Sequence, residues 1–374
     1  MGVQGFTHST RRKKFIGKNA RRDDHGSTAS EPVVRIFTDC GVRGVGFGRT
    51  TPQEAQGLIG RSLSDIWHPA SGMRSALGRA DHALFDLVGK ILRLPIWQLL
   101  GARGPAAVPV YDTTLYFHDL LPDHALRGIG RLVDELEQGL ELGFRQFKVK
   151  VGRGARWMES RDGLRRDIDV IRTLAKAAPA GTRLMADANN QFDLGDTQRF
   201  LGEVGEHIFF IEEPFDENLE DGRTLRKWIA DNHFDVLLAD GESEHDPAKL
   251  FDLADRGGLD VLQPDIRALG LTLQSRLAQA VSGHTRLKLA PHCWGSYLGT
   301  YKMLHLARGA PGILTCEIDH MTSDLFDDTL WTIRDGTVVV PDVPGTGLAF
   351  REDVFERCYL SGAWQVGDTR PGHA

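Results

Sequence analysis

Eight short apolar runs, separated by stretches with helical spacing, constrain this chain more than any other feature. The runs lie near residues 109–115, 144–151, 183–187, 208–212, 236–240, 260–264, 287–291 and 313–317. Between them, Ile129 to Leu142, Leu164 to Ala178, Leu219 to Ile229 and Leu271 to Val281 carry apolar residues at helical period. Strand then helix, repeated through residues 108–340, is the pattern of a closed parallel barrel. An open doubly wound sheet competes, but about six or seven strands would suit it better than eight.

Each run from the second onward ends in a charged residue. The series is Lys148 and Lys150, then Asp187, Glu212, Glu242, Asp265, His292 and Glu317. From Lys150 the successive intervals are 37, 25, 30, 23, 27 and 25 residues, each long enough for one helix and one strand. In such a barrel the C-terminal ends of all strands open on one face, so these distant residues should converge on one mouth.

Their types carry chemistry. Asp187, Glu212 and Glu242 would repel one another unless a cation sat between them, and three oxygen ligands with room for water and substrate suit Mg²⁺. Glu213 and Asp240 are rivals for that role. Because strand neighbours face opposite ways, they read as supporting partners instead. Lys148 and Lys150 share one side of their strand. Adjacent ammonium groups should lower each other's pKa, and a lysine tuned towards neutrality is a general base. Asp265 can fix the tautomer of His292 and raise its basicity. Glu317 could donate a hydrogen bond to a substrate carboxylate if protonated; a salt bridge to Lys148 is the competing role. Asn189 lies two residues beyond Asp187, and Arg267 could bind a distal anion. Tyr111, Thr113, Trp294 and Tyr297 would make the pocket polar.

The rest of the chain frames this set. Val33 to Asp39 reads as a strand, followed by a hairpin with Gly41, Gly44, Gly46 and Gly48. Helical patterns run on to Leu100, which makes residues 1–107 an α+β capping domain. Residues 341–374 should fold back on it as a C-terminal segment. Residues 1–32 show no clear first strand. Their basic cluster, Arg11 to Lys14 with Lys18, Arg21 and Arg22, reads either as a mobile arm or as a lid over an anionic substrate. No apolar stretch follows that cluster, which argues against a secretory signal. The net charge of −6 disfavours nucleic-acid binding, and no run of 18 apolar residues predicts a membrane span. Four cysteines with no metal-ligand spacing read as free thiols in a reducing cytoplasm.

At these residues the chain resembles the enolase superfamily, in its mandelate racemase and acid-sugar dehydratase branch. Lys148-Val149-Lys150 looks like that branch's KxK motif, whose second lysine is a base. Asp187-Ala188-Asn189, Ile211-Glu212-Glu213-Pro214 and Gly241-Glu242 look like its metal-ligand motifs. Asp265 and His292 match its Asp–His dyad, and Glu317 its last-strand glutamate. Thr38-Asp39-x-Gly41, Gly44-x-Gly46 and Ala83 to Leu87 before Leu99-Leu100-Gly101 extend the match into the capping domain. The sister branch places a lysine at the end of the sixth strand; the segment Pro264 to Gly270 has none.

The resemblance implies a (β/α)7β barrel, Mg²⁺ as cofactor, a sugar-acid substrate and a homo-oligomer. It implies that Lys150 or His292 removes the proton beside a substrate carboxylate. His292 then protonates a departing β-hydroxyl, giving a 2-keto-3-deoxy acid. The same residues could instead racemise or epimerise a 2-hydroxy acid, and a metal-binding scaffold without activity is the non-enzymatic reading.

Overall fold

The computed structural model describes residues 2–68, 71–73, 81–122 and 127–369. Eight parallel strands form the barrel: Ala107–Leu115, Gln146–Lys150, Arg183–Asp187, Ile208–Glu212, Leu237–Asp240, Val261–Leu262, Lys288–Leu289 and Cys316–Ile318. Each pairs with the next. A parallel bridge from Leu289 to Ile313 and the pairing of Cys316–Ile318 with the first strand close the ring. Helices Gly130–Glu141, Ser160–Ala177, Leu194–Val204, Leu219–Asp231, Pro247–Asp255, Ile266–Ser282 and Tyr297–Gly309 fill the seven crossovers.

Strands buried on both faces must be apolar almost throughout, which is why they stand out as continuous runs. Inward-pointing Tyr111, Met185, Phe210, Ala239, Val261 and Ala290 form a layer inside the barrel. That layer is the floor beneath the mouth.

The chain's opening corrects one expectation. Gly2–Ile16 is a 15-residue strand, antiparallel to Gly26–Phe37, which in turn pairs with Arg43–Phe47. Its period was hidden because the buried face is polar. His8 bonds Glu31 and Ser323, Thr10 donates to the Ala29 carbonyl, and Arg12 stacks over Trp294. The basic cluster is therefore no mobile arm: Arg11, Lys13 and Lys14 belong to this strand. Trp364–Gly367 from the C-terminal segment adds to the same sheet beside residues 2–5. Residues 370–374 of that segment lie outside the described residues.

Candidate active site

Lys148 and Lys150 end the second strand and face inward. Lys148 Nζ lies 2.5 Å from Glu212 Oε1, 3.1 Å from Glu317 Oε1 and 3.3 Å from Asp187 Oδ2. Lys150 Nζ pairs with Asp187 Oδ2. Lys148 does lower Lys150, as expected of adjacent ammonium groups, but the net shift runs away from neutrality. Burial does oppose both charges, but Glu212 and Glu317 around Lys148 and Asp187 beside Lys150 outweigh it. Both ammonium groups are held above the ordinary lysine range. The strand end is fixed from behind by fully buried Arg153. Its guanidinium meets Asp119 at 2.7 Å and Asp167 at 2.6 Å and donates to the Lys150 carbonyl at 3.2 Å.

Asp187 and Glu212 are register partners on the third and fourth strands, and Glu242 follows the fifth. Gln263 Nε2 donates to Glu212 Oε2 at 2.6 Å. Burial, with Asp187 and Glu317 nearby, pushes Glu212 up to about 8 despite Lys148. Glu213 departs from the simple alternation. It takes φ +42, and Asn189 (φ +47) and Asn190 (φ +59) are left-handed too. Such conformations are costly for non-glycine residues and concentrate at functional sites. Here the turn brings the Glu213 carboxylate to Asn189 Nδ2 at 3.0 Å and Asn190 Nδ2 at 3.3 Å. Burial with Glu242 and Asp187 pushes it up to about 7. Asp240 accepts the Gly241 N–H at 2.7 Å, and burial with Glu217 and Glu213 holds its carboxyl well above the usual range.

Asp187, Glu212, Glu213, Glu242 and Glu317 thus cluster around Lys148, Lys150 and His292. Among the described residues no three acidic, His or Cys side chains close on one point as ligands, since ammonium groups sit between the carboxylates. The donor chemistry nevertheless fits a hard divalent cation. The candidate donor atoms are all oxygen, they come from adjacent strand ends, and burial beside other carboxylates pushes two of the carboxyls up.

His292 follows the seventh strand. Its Nδ1 is 2.9 Å from Asp265 Oδ2, and its Nε2 is 3.2 Å from Glu242 and 3.8 Å from Glu317. Burial opposes the charge, but these three carboxylates raise the ring to about 10, so it is imidazolium at neutral pH. Asp265 also binds Arg267 through both carboxylate oxygens. That occupies the guanidinium expected to meet a distal anion. Glu317 accepts from Thr113 Oγ1 at 2.7 Å and from the Cys293 N–H at 2.8 Å. Against the cost of burial, Lys148, His292 and these donors hold it down to about 2. It is an ionised acceptor, not the protonated donor considered above.

A cavity of about 330 Å³ stands over this set. Lys148, Lys150, Glu242, His292 and Glu317 reach it, as do Asn189, Arg267 and Trp294. Asp187, Glu212 and Asp265 lie buried behind them. Tyr111 does not reach the cavity. It lies in the barrel's inner layer, edge-on to Phe210, with Lys148 over its ring. Tyr297 packs against Tyr301 and Phe326 instead.

The far wall comes from residues 17–25, the loop joining the first two strands, which supplies Asn19, Arg21, Arg22 and His25. The loop is pinned to the barrel. Gly17 N–H donates to His118, Phe117 N–H to the Lys18 carbonyl, Trp157 Nε1 to the Asn19 carbonyl, and Arg156 to the Arg21 carbonyl. Gly152, at φ +97, allows Ala20 to approach, since a Cβ there would meet Ala20 Cβ at 2.8 Å. Sequence reasoning missed Asn19, His25 and Tyr116, which stacks on Trp294 at 5.2 Å. Only the arginines of the basic cluster signalled this wall.

A family model described as "Enolase C-terminal domain-like" matches residues 131–354. An arabinonate dehydratase of Saccharolobus solfataricus is 25% identical over 288 residues, 75% of this chain and 71% of that protein. A galacturonate dehydratase from Geobacillus sp., solved with D-galacturonate and 5-keto-4-deoxy-D-galacturonate, superposes with a TM-score of 0.92 at 32% identity over 98% of both chains. An L-talarate dehydratase from Polaromonas sp. JS666, solved with Mg and L-glucarate, gives a TM-score of 0.76 at 28% identity, again over 98% of both chains. With its barrel, its capping sheet and these matches, the chain belongs to the enolase superfamily, in the branch of the mandelate racemase-like proteins and acid-sugar dehydratases.

Proposed function

We propose that this protein is a Mg²⁺-dependent acid-sugar dehydratase, with Lys150 as base and His292 as acid. One observation carries the reading. Lys150 and His292, the latter held at Nδ1 by Asp265, reach one cavity from strands three apart around the ring, beside a cluster of carboxylates from adjacent strand ends.

Asp187, Glu212 and Glu242 would hold the metal. Bound there, Mg²⁺ would supply positive charge beside the substrate carboxylate as its α-proton leaves, and Asp187, now paired with Lys150, would be one of its ligands. Lys150 Nζ, with Lys148 beside it favouring the neutral amine, takes the α-proton. His292 Nε2 gives its proton to the β-hydroxyl, the C–O bond breaks, and water leaves. The resulting enol releases its hydroxyl proton and takes one up at the former β-carbon, becoming a 2-keto-3-deoxy acid. Asp265 holds the ring through Nδ1, and Glu317 fixes Lys148. Asn19, Arg21, Arg22 and His25 face the sugar's distal end. Trp294, Asn189 and Arg267 complete the walls.

Given the galacturonate dehydratase match, hexuronates are the first substrates to try. The test is a screen of aldonates, uronates and aldarates with Mg²⁺, following keto-acid formation and solvent-deuterium incorporation at the α-carbon. Keto acid supports the reading. Deuterium without keto acid means a racemase or epimerase, and neither signal across the panel means an inactive scaffold. A cytoplasmic homo-oligomer belongs to the same proposal, and light scattering checks the assembly.

A further inference from the structure

The helix that follows the sixth barrel strand is broken. Ile266–Ser282 runs one turn, and then Gly270 adopts φ 70, ψ 176 before a second helical stretch begins at Leu271. The first turn carries Asp265, whose Oδ1 accepts the N–H groups of Arg267 at 2.6 Å and Ala268 at 3.2 Å, while Oδ2 holds His292. A single turn has little stability of its own. The restarted helix opens with N–H groups that lack intrahelical acceptors.

Both needs are met from the capping domain, by the start of its helix Asp81–Leu92. Asp81 Oδ1 accepts from the Leu271 N–H at 3.2 Å and Oδ2 from the Thr272 N–H at 2.9 Å. The next ring, His82, sets Nε2 3.3 Å from the Ile266 carbonyl, one residue from Asp265. Both side chains are 2% exposed, and Lys302 Nζ anchors the His82 carbonyl at 2.9 Å. A Cβ at Gly270 would come within 3.3 Å of the Asp81 carboxylate, so the close approach suits glycine.

We propose that Asp81 and His82 are positioning residues for the His292–Asp265 pair, clamping the broken helix start so that the capping domain sets where the acid stands. The proposal rests on the reading of His292 as the acid that expels the hydroxyl, and its test separates the two.

The acid step and the base step have different readouts. In Asp81→Asn, an amide NH₂ faces one helix N–H and the clamp is weakened. Keto-acid formation should fall about ten-fold or more, as expected for a displaced reacting group. Deuterium exchange at the α-carbon of recovered substrate, which needs Lys150 but not His292, should stay within about two-fold of wild type. A purely structural role would lower both rates together or leave both unchanged, and either result overturns the proposal. Should Asp81→Asn fail to fold, His82→Gln, which keeps a donor for the Ile266 carbonyl, should retain keto-acid formation where His82→Leu does not. If wild type gave neither exchange nor keto acid, the proposed function would fall. Amide hydrogen exchange of residues 265–272 would then read the clamp directly, and unchanged protection in Asp81→Asn would refute it.

Discussion

Replacing Lys148 with methionine tests the charge balance of the site while leaving the proposed metal ligands and the proposed base in place. The side chain is 1% exposed and its ammonium serves Glu212, Glu317 and Asp187 within 3.3 Å. Methionine keeps the volume and removes the charge, leaving buried carboxylates without their partner. Breaking a buried ion cluster in this way costs about 3–5 kcal/mol. The pH dependence has a definite sign. Glu317 is depressed from 4.5 to about 2, so its contribution is present above pH 4.5 and is lost as pH falls through about 2. The deficit of K148M should therefore be full near neutrality and shrink below pH 4.5. The assay is thermal or denaturant unfolding of both proteins in chelator and in saturating Mg²⁺. A ligand at about 100 times its Kd stabilises by about 2.7 kcal/mol. In K148M the Lys148 ammonium no longer competes for Glu212 and Asp187, although Lys150 still holds Asp187, so Mg²⁺ should raise the midpoint further than in wild type. A K148M protein within about 1 kcal/mol of wild type in chelator, or an equal gain from Mg²⁺ in both, would refute this account of the cluster.

Glu212→Gln should raise the Kd for Mg²⁺ in calorimetry by more than Glu213→Gln, which as a supporting change should cost about 10–100-fold; the reverse order would make Glu213 the ligand. Gly152→Ala forces a residue at φ +97 against Ala20 and should shift the 17–25 loop, raising KM more than it lowers kcat in steady-state kinetics. His82 and His305 are buried and held neutral, each lowered from 6.5 to about 3 chiefly by burial. Their stabilisation is present above pH 6.5 and is lost as pH falls towards 3, up to about 4–5 kcal/mol each. His305→Gln should flatten that acid limb by about one proton in a pH series of unfolding midpoints.

Much of the barrel was legible because its physics leaves a simple trace. Strands covered on both faces must be apolar, and the single residue turned to the mouth at each end interrupts the run with a charge. That located Lys148, Lys150, Asp187, Glu212, Asp265, His292 and Glu317. What was not legible depends on neighbours that no local pattern encodes. The strand Gly2–Ile16 buries His8, Thr10 and Arg12 against polar partners from distant segments, so it lacked the expected alternation. Glu213 was read as a supporting partner, but its route to Asn189 and Asn190 was not legible, because alternation assumes regular strand geometry and φ +42 breaks it. Tyr111 shares its strand with Thr113, but the hydrogen bond to Glu317 comes from Thr113, while the Tyr111 ring packs on Phe210 in the layer below. The lysine pKa values depend on a count of charges in three dimensions. Two adjacent ammonium groups repel, yet the carboxylates from the third, fourth and eighth strands outnumber them.

The division of labour between Lys150 and His292 is the centre of the account. Its most direct measurement follows both fates of the α-carbon at once, in D₂O, with Mg²⁺ and a turned-over sugar acid. Lys150→Met should abolish both deuterium exchange and keto acid. His292→Gln should abolish keto acid while exchange into recovered substrate persists. Persistent keto acid in His292→Gln, or persistent exchange in Lys150→Met, would contradict the assignment.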